Sequence, residues 1–201
     1  MDLSSLPART TAPGGPDPLG PPVTRGTGTG PATFFTTVSS PLGELLLVAR
    51  ESPGAPDGAA LASLSMAGGR GVPGPRPGWR RDPAAFAEAL RQLREYFAGR
   101  LTRFELEYVT EGTPFQRLVW EALDAIPYGT TTTYGELAGR LGVPRGEVRA
   151  LGGAIGANPL LLVRPCHRVI GADGAMRGYA GGVERKVALL THEGALLPLF
   201  T

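Results

Sequence analysis

Glycine and proline divide this chain before any other feature does. Of 201 residues, 30 are glycine and 20 are proline, and they cluster, so regular structure is confined to the stretches between clusters. Residues 1–32 are Pro, Gly, Thr and Ser with few large apolar side chains. Such a segment cannot bury enough surface to offset its ordering entropy, and a disordered tail with no catalytic role is expected there. Setting the clusters aside leaves roughly 140 residues, enough for a real core.

Order is expected from Thr33. Phe34-Phe35-Thr36-Thr37-Val38 and Glu44-Leu45-Leu46-Leu47-Val48-Ala49 flank the turn cluster Ser39–Gly43 and predict an antiparallel hairpin. Ala60–Met66 alternates apolar and small residues and suits a third strand. Asp82-Pro83 opens a helix with a carboxylate N-cap and proline in the first turn. Phe86, Leu90, Leu93 and Phe97 fall on one face of it, and Gly99 stops it. The alternation Arg103–Tyr108 predicts a half-exposed strand. Residues 33–110 thus form a small α+β domain whose expected job is support.

Composition shifts at Gly112. Thr113-Pro114-Phe115-Gln116 is a capping box with proline in the first turn. An apolar stripe of Phe115, Leu118, Val119, Ala122, Leu123 and Ile126 follows, with Trp120 read as core. Thr133-Tyr134-Gly135-Glu136 is a second capping box, leading a short helix to Gly142. After Pro144-Arg145-Gly146, a third helix is expected from about Glu147 to Ala157. Two short helices around a Gly/Pro turn suit a helix-turn-helix. Gly152, Gly153 and Gly156 each cost that helix about 1 kcal/mol relative to alanine. Two explanations stand: tight packing on another helix, or close approach to a nucleic-acid groove with Arg149 projecting from the first turn. The fold class is α+β, a small sheet-and-helix domain followed by a mostly helical domain over 111–197.

One chemical feature stands out against this frame. Cys166 is the only cysteine, and one of the two histidines, His167, follows it directly. Leu160–Val163 leads in and Val169-Ile170 leads out, so the core places the thiol. A lone cysteine is most often a buried structural one. Pro165, the arginines Arg164 and Arg168, and His167 argue for chemistry, because cationic neighbours favour the thiolate. A single sulfur cannot form an intramolecular disulfide, and one Cys with two His does not make a Cys/His zinc site. The formal net charge is +2 and Lys186 is the sole lysine, so bulk polycationic character is absent. The N-terminus lacks a basic segment leading into an apolar one, and no apolar run approaches the 18 or so residues of a membrane span. A soluble cytoplasmic protein is expected, with no cofactor, no metal and no membrane partner.

Pro165-Cys166-His167-Arg168-Val169-Ile170 resembles the signature of the O6-alkylguanine-DNA alkyltransferases, the methylated-DNA–protein-cysteine methyltransferases. Thr113–Gln116 with Val119-Trp120, Ile126–Gly129, Thr133–Ala138, Arg149–Ala154, Asn158-Pro159, Gly178–Gly182 and Leu189–Gly194 resemble further parts of that family's pattern. The likeness is dense over 112–195, looser over 33–110, and absent from 1–32. It implies transfer of an alkyl group from O6 of guanine, or more weakly O4 of thymine, in duplex DNA to Cys166, once per molecule, by a monomer that flips the damaged base out. It also implies site roles: His167 as base through a water, Glu193 holding the histidine, and Asn158 fixing the turn. Tyr134 would press on the phosphate backbone and protonate the leaving base, and Arg149 would enter the duplex in place of the flipped base. Ala150, Gly152 and Gly153 would face DNA, and Met176, Arg177, Tyr179 and Ala180 would line the base pocket. Arg177 stands where a smaller residue is more usual. The competing readings are a protein that recognises alkylated bases without repairing them, which would lack the cysteine, and a Cys-His hydrolase, for which no oxyanion hole is evident.

Overall fold

The computed structural model describes residues 30–69, 74–109 and 111–197; the expected tail, apart from its last three residues, lies outside them. Among the described residues no helix is long and apolar enough to cross a membrane. The described residues from 31 on form one compact unit.

The hairpin and third strand form as the alternation predicts: β1 is Thr33–Ser40, β2 Gly43–Glu51 and β3 Ala59–Met66. A two-residue β4, Arg80–Arg81, lies parallel to β1 and completes a sheet of order β3-β2-β1-β4. The β1/β2 register pairs Phe34 with Ala49 and Val38 with Leu45, and β2/β3 slips once between Val48 and Ala49. Order starts slightly before Thr33, because Ala32 exchanges backbone hydrogen bonds with Glu51 and its side chain.

Asp82 caps the next element by accepting from the Ala84 N–H at 3.1 Å. Its first turn, Pro83–Phe86, is 3-10, and α1 continues over Ala87–Phe97. Phe86 and Leu93 are buried as expected, and so is Tyr96. The strand predicted over Arg103–Tyr108 is not one. Gln92 of α1 takes the backbone groups of Glu105: its Nε2 donates to the Glu105 carbonyl and its Oε1 accepts from the Glu105 N–H, both at 2.7 Å. Only Glu107 and Val109 reach β3, through Leu61.

Both capping boxes close. α2 is Pro114–Asp124, capped by Thr113 and Gln116, and α3 is Tyr134–Arg140, capped by Thr133 and Glu136. A 3-10 turn at Arg145–Glu147 leads into α4, Val148–Gly156, so α3 and α4 form the helix-turn-helix. Leu137, Leu151, Ala154 and Ile155 pack inward. Trp120 is core: its indole N–H donates to the Ala154 carbonyl at 2.9 Å. Helix α5, Val183–His192, closes the unit, and β5 (Thr132–Thr133) pairs in parallel with β6 (Val169–Ile170).

Two contacts place the site on the first sheet. The outer edge of β3 pairs with the segment after α4, through Leu64 N–H to the Pro159 carbonyl at 2.9 Å and Leu161 N–H to the Leu64 carbonyl at 3.0 Å. The Arg185 guanidinium of α5 grips the carbonyls of Leu42 and Ala67, each at 2.8 Å. The buried apolar cluster accordingly runs from Leu45 to Leu189 through both halves.

Candidate active site

The site is a turn, and Asn158 is its clamp. The Asn158 amide nitrogen donates to the Arg164 carbonyl (3.0 Å), the Leu160 carbonyl (3.3 Å) and the Cys166 Sγ (3.2 Å), while its Oδ1 accepts from Leu160 N–H (3.0 Å). Leu162 sits inside this turn at φ 71°, the only non-glycine with positive φ among the described residues. For a branched side chain that is a genuine strain, held in place by the bonds around it. Pro165 then starts a 3-10 turn, Cys166–Arg168, which puts the thiol and the adjacent imidazole in one place.

Cys166 is 5 % exposed. Burial pushes its thiol up to about 11, against the opposing pull of the Asn158 amide and of the more distant Lys186 and Arg164 charges. The pull toward the thiolate expected of the flanking arginines is present for Arg164, but burial outweighs it. Arg164 turns away to Asp124, with Nε 3.1 Å from Oδ1, and stacks over Tyr108 and Trp120. Arg168 donates to both Glu193 oxygens and to the Ile126 carbonyl. Both arginines are structural.

His167 is fully buried, with Nε2 2.9 Å from Glu193 Oε1. Burial lowers its pKa despite that carboxylate, so the ring is neutral near pH 7 and donates Nε2–H to Glu193. Its Nδ1 is buried without a partner among the described residues, leaving a free lone pair. Glu193 caps the C-terminus of α5. Burial alone would raise its pKa, but hydrogen bonds from His167 and Arg168 reverse that and hold it at about 2.

A cavity of about 260 Å³ is lined by Tyr134, Gly152, Ile155, Gly156, Cys166, Gly178, Tyr179 and Ala180. It is smaller than the roughly 300–1,000 Å³ of drug-sized sites. Tyr134, on its wall, donates to the Arg177 carbonyl at 3.2 Å, and burial raises the pKa of its phenol. The loop bearing Tyr179 lies hard against β3: a Cβ on Gly181 would fall 2.6 Å from Met66 Sδ. Of the other expected pocket residues, Met176 and Arg177 do not line the cavity, and the exposed Arg177 guanidinium pairs with Asp173 instead.

Arg149, Ala150 and Gly153 are exposed on α4, and Gly152 is half-buried. Cβ atoms built on Gly153 and Gly156 meet nothing within 4 Å, and one on Gly152 meets only Tyr134 at 3.9 Å. Tight helix packing is therefore not what these glycines serve. Their face is open.

Two buried polar groups escaped the sequence reading. Tyr96 OH donates to Glu193 Oε1 at 2.7 Å. Lys186 is fully buried and donates to the carbonyls of Val169 (2.6 Å), Arg177 (3.0 Å) and Gly178 (3.4 Å), pinning the pocket loop. Desolvation lowers its pKa to about 8. Its spacing to Leu189 and Leu190, on the buried face of α5, was the available signal. Among the described residues no group of three His, Cys, Asp or Glu could hold a metal.

Comparison with known proteins follows the same lines as this geometry. Residues 114–195 match the family model of the 6-O-methylguanine DNA methyltransferase DNA-binding domain, and residues 33–109 that of its ribonuclease-like domain. The methylated-DNA–protein-cysteine methyltransferase of Mycolicibacterium paratuberculosis is 47% identical over 170 residues, covering 83% of this chain and 98% of that protein. The chain belongs to the methylated-DNA–protein-cysteine methyltransferase family. The protein of that name from Methanosarcina acetivorans is 42% identical over 81% of this chain and 99% of its own length. The crystal structure of Mycobacterium tuberculosis OGT in complex with DNA superimposes with a TM-score of 0.70 at 45% identity, covering 81% of this chain and 93% of that one. The family is one of DNA-repair methyltransferases with a DNA-binding domain, which here contains α2 to α5 and the thiol.

Proposed function

We propose that this protein moves an alkyl group from O6 of guanine, and more weakly from O4 of thymine, in duplex DNA onto Cys166, once per molecule. One observation carries the reading: the only thiol of the chain lines a small cavity beside the open glycine face of α4, with a buried His–Glu pair behind it. Residues 33–110 support the site, and 111–197 carry DNA contact and chemistry. The protein acts as a monomer in the cytoplasm.

O6 of guanine lies inside the base stack, so chemistry in a cavity requires the base to flip out, at a few kcal/mol, less for a mispaired lesion. The open face of α4 suits close approach to a groove, with Arg149 filling the vacated stack and Tyr134 turning the backbone. Tyr179 and Ala180 hold the base. A thiol near 11 costs on the order of 5 kcal/mol to ionise at pH 7, which makes a base necessary. His167 supplies it: its Nδ1 takes the thiol proton through a bridging water, and Glu193 stabilises the imidazolium. The sulfur attacks the alkyl carbon in line, the S–C bond forming as the C–O6 bond breaks. The guanine leaves with a proton from Tyr134, which regains one from solvent as His167 releases its own. The net change is one proton moved from sulfur to base. A thioether does not exchange with thiols and no second cysteine exists, so the protein is consumed.

The test is to titrate the protein with duplex containing O6-methylguanine and count lesions removed. One lesion per protein with a sharp plateau is expected, and Cys166→Ala should bind the duplex while removing none. Continued turnover, or removal by Cys166→Ala, would refute the reading. The alternative, a recognition protein that repairs nothing, is distinguished by tight binding with every lesion intact.

A further inference from the structure

The N-terminal half supplies one polar group to the catalytic network. We infer that Tyr96 is a positioning residue for the transfer, its hydroxyl donating to the same Glu193 oxygen that holds His167 and so setting how strongly that carboxylate draws a proton onto the imidazole. This rests on the reading of His167 as the base.

Glu193 Oε1 faces three groups: Tyr96 OH at 2.7 Å, His167 Nε2 at 2.9 Å and Arg168 Nη2 at 2.9 Å. A carboxylate oxygen has about two lone-pair sites, so the three compete, and weakening one strengthens the others. Tyr96, His167, Arg168 and Glu193 are all buried, so solvent does not fill a vacated position and each bond acts in a low-dielectric setting. Burial and the Glu193 charge push the Tyr96 phenol far above its ordinary range, so it remains a neutral donor at every working pH. Burying a hydroxyl where phenylalanine would pack is costly unless the hydroxyl is bonded, and this one spends its proton on the carboxylate.

The ring has a separate job. It packs against Phe97, Phe104, Tyr128 and His192, with centroids 5.1 to 6.1 Å away. Tyr96→Phe keeps all of that and removes only the donor. The charged and titratable groups facing His167 are Cys166 and Arg168 from its own turn, Glu193 and Lys186 from α5, and Tyr179 from the pocket loop, while Tyr128 and Tyr96 face Glu193. Lys186, at about 8, titrates above the window that matters. With Tyr96 bonded, Glu193 shares its charge and His167 stays neutral and ready. Without it, Glu193 holds the imidazolium more tightly and the base is blocked at higher pH.

The experiment is a titration of the full chain with isotopically labelled histidine, which gives two ring signals; His192→Gln assigns them. Tyr96→Phe should move the His167 titration upward by about one pH unit, the size of one hydrogen bond to a charged group. The acid limb of the single-turnover rate should move by the same amount, with the rate above the limb little changed. In a Glu193→Gln background, Tyr96→Phe should leave His167 where it is, since the charge being shared is gone. An unmoved or lowered His167 titration in Tyr96→Phe, a rate reduced equally at all pH, or an equal shift in the Glu193→Gln background would each overturn the inference. If the unmodified protein transfers no alkyl group, the proposed function fails, while the histidine titration still decides whether Tyr96 tunes this ring.

Discussion

Replacing Asn158 by alanine tests the site turn and the thiol together. The change removes four contacts: three made by Nδ2, including that to Sγ, and one accepted by Oδ1. The Leu160 and Arg164 carbonyls keep backbone partners in Arg164 N–H and Cys166 N–H. The Leu160 N–H, accepted by Asn158 Oδ1, is left unpaired in a buried position. Losing one orphaned donor and two to three modest bonds amounts to about 3 kcal/mol. For a chain of this size that lowers the melting temperature by roughly 6–12 °C. The thiolate also loses its one side-chain donor, worth roughly 1.5–3 kcal/mol, so transfer should slow about tenfold to a hundredfold. Thermal melts and single-turnover transfer at pH 7 measure the two effects, and the rate deficit should narrow as pH rises toward the range of the thiol. A melting temperature within about 2 °C of the parent, or transfer within twofold of it, would refute this account of the turn.

Gly153→Ala should raise stability by up to about 1 kcal/mol, since alanine is the better helix former and its Cβ meets nothing. The same change should weaken binding to duplex DNA in a fluorescence titration; unweakened binding would mean that this face does not approach DNA. Arg149→Ala should slow repair in duplex DNA far more than reaction with free O6-benzylguanine, and equal losses would remove its role in the duplex. Stability should fall on acidification. His167, depressed in the folded state, begins to erode stability as pH drops below its ordinary value of about 6.5. Glu193, held at about 2 against an ordinary 4.5, contributes about 3 kcal/mol above pH 4.5 that is lost as pH falls through its folded value. Urea denaturation at pH 7, 5.5, 4 and 2.5 measures the decline: flat stability from pH 7 to 4 would contradict the His167 assignment, and flat stability from pH 4 to 2.5 the Glu193 assignment.

Local signals were legible in the sequence because their partners are local. The boxes at Thr113 and Thr133 and the Asp82 cap are fixed by spacings of two or three residues, and each formed. The Cys166-His167 pair was legible for the same reason. Partners far apart in the chain were not. Tyr96 and Glu193 are 97 residues apart, and nothing near either announces the other. Gln92 replacing a strand neighbour for Glu105 is invisible to an alternation rule, which reads only which side chains are buried. The cationic neighbours of the thiol were legible, but the burial that outweighs them was not. Arg164 and Arg168 flank Cys166 in the chain, yet Asp124 and Glu193 claim their guanidinium groups, and burial then decides.

The central claim is that one buried sulfur receives the alkyl group. Intact-protein mass spectrometry followed by peptide mapping, after exposure to duplex bearing O6-methylguanine, measures that directly. The account predicts a single added methyl, carried wholly by the peptide containing Cys166. An unchanged mass beside a repaired duplex, or a methyl found on any other side chain, would contradict it.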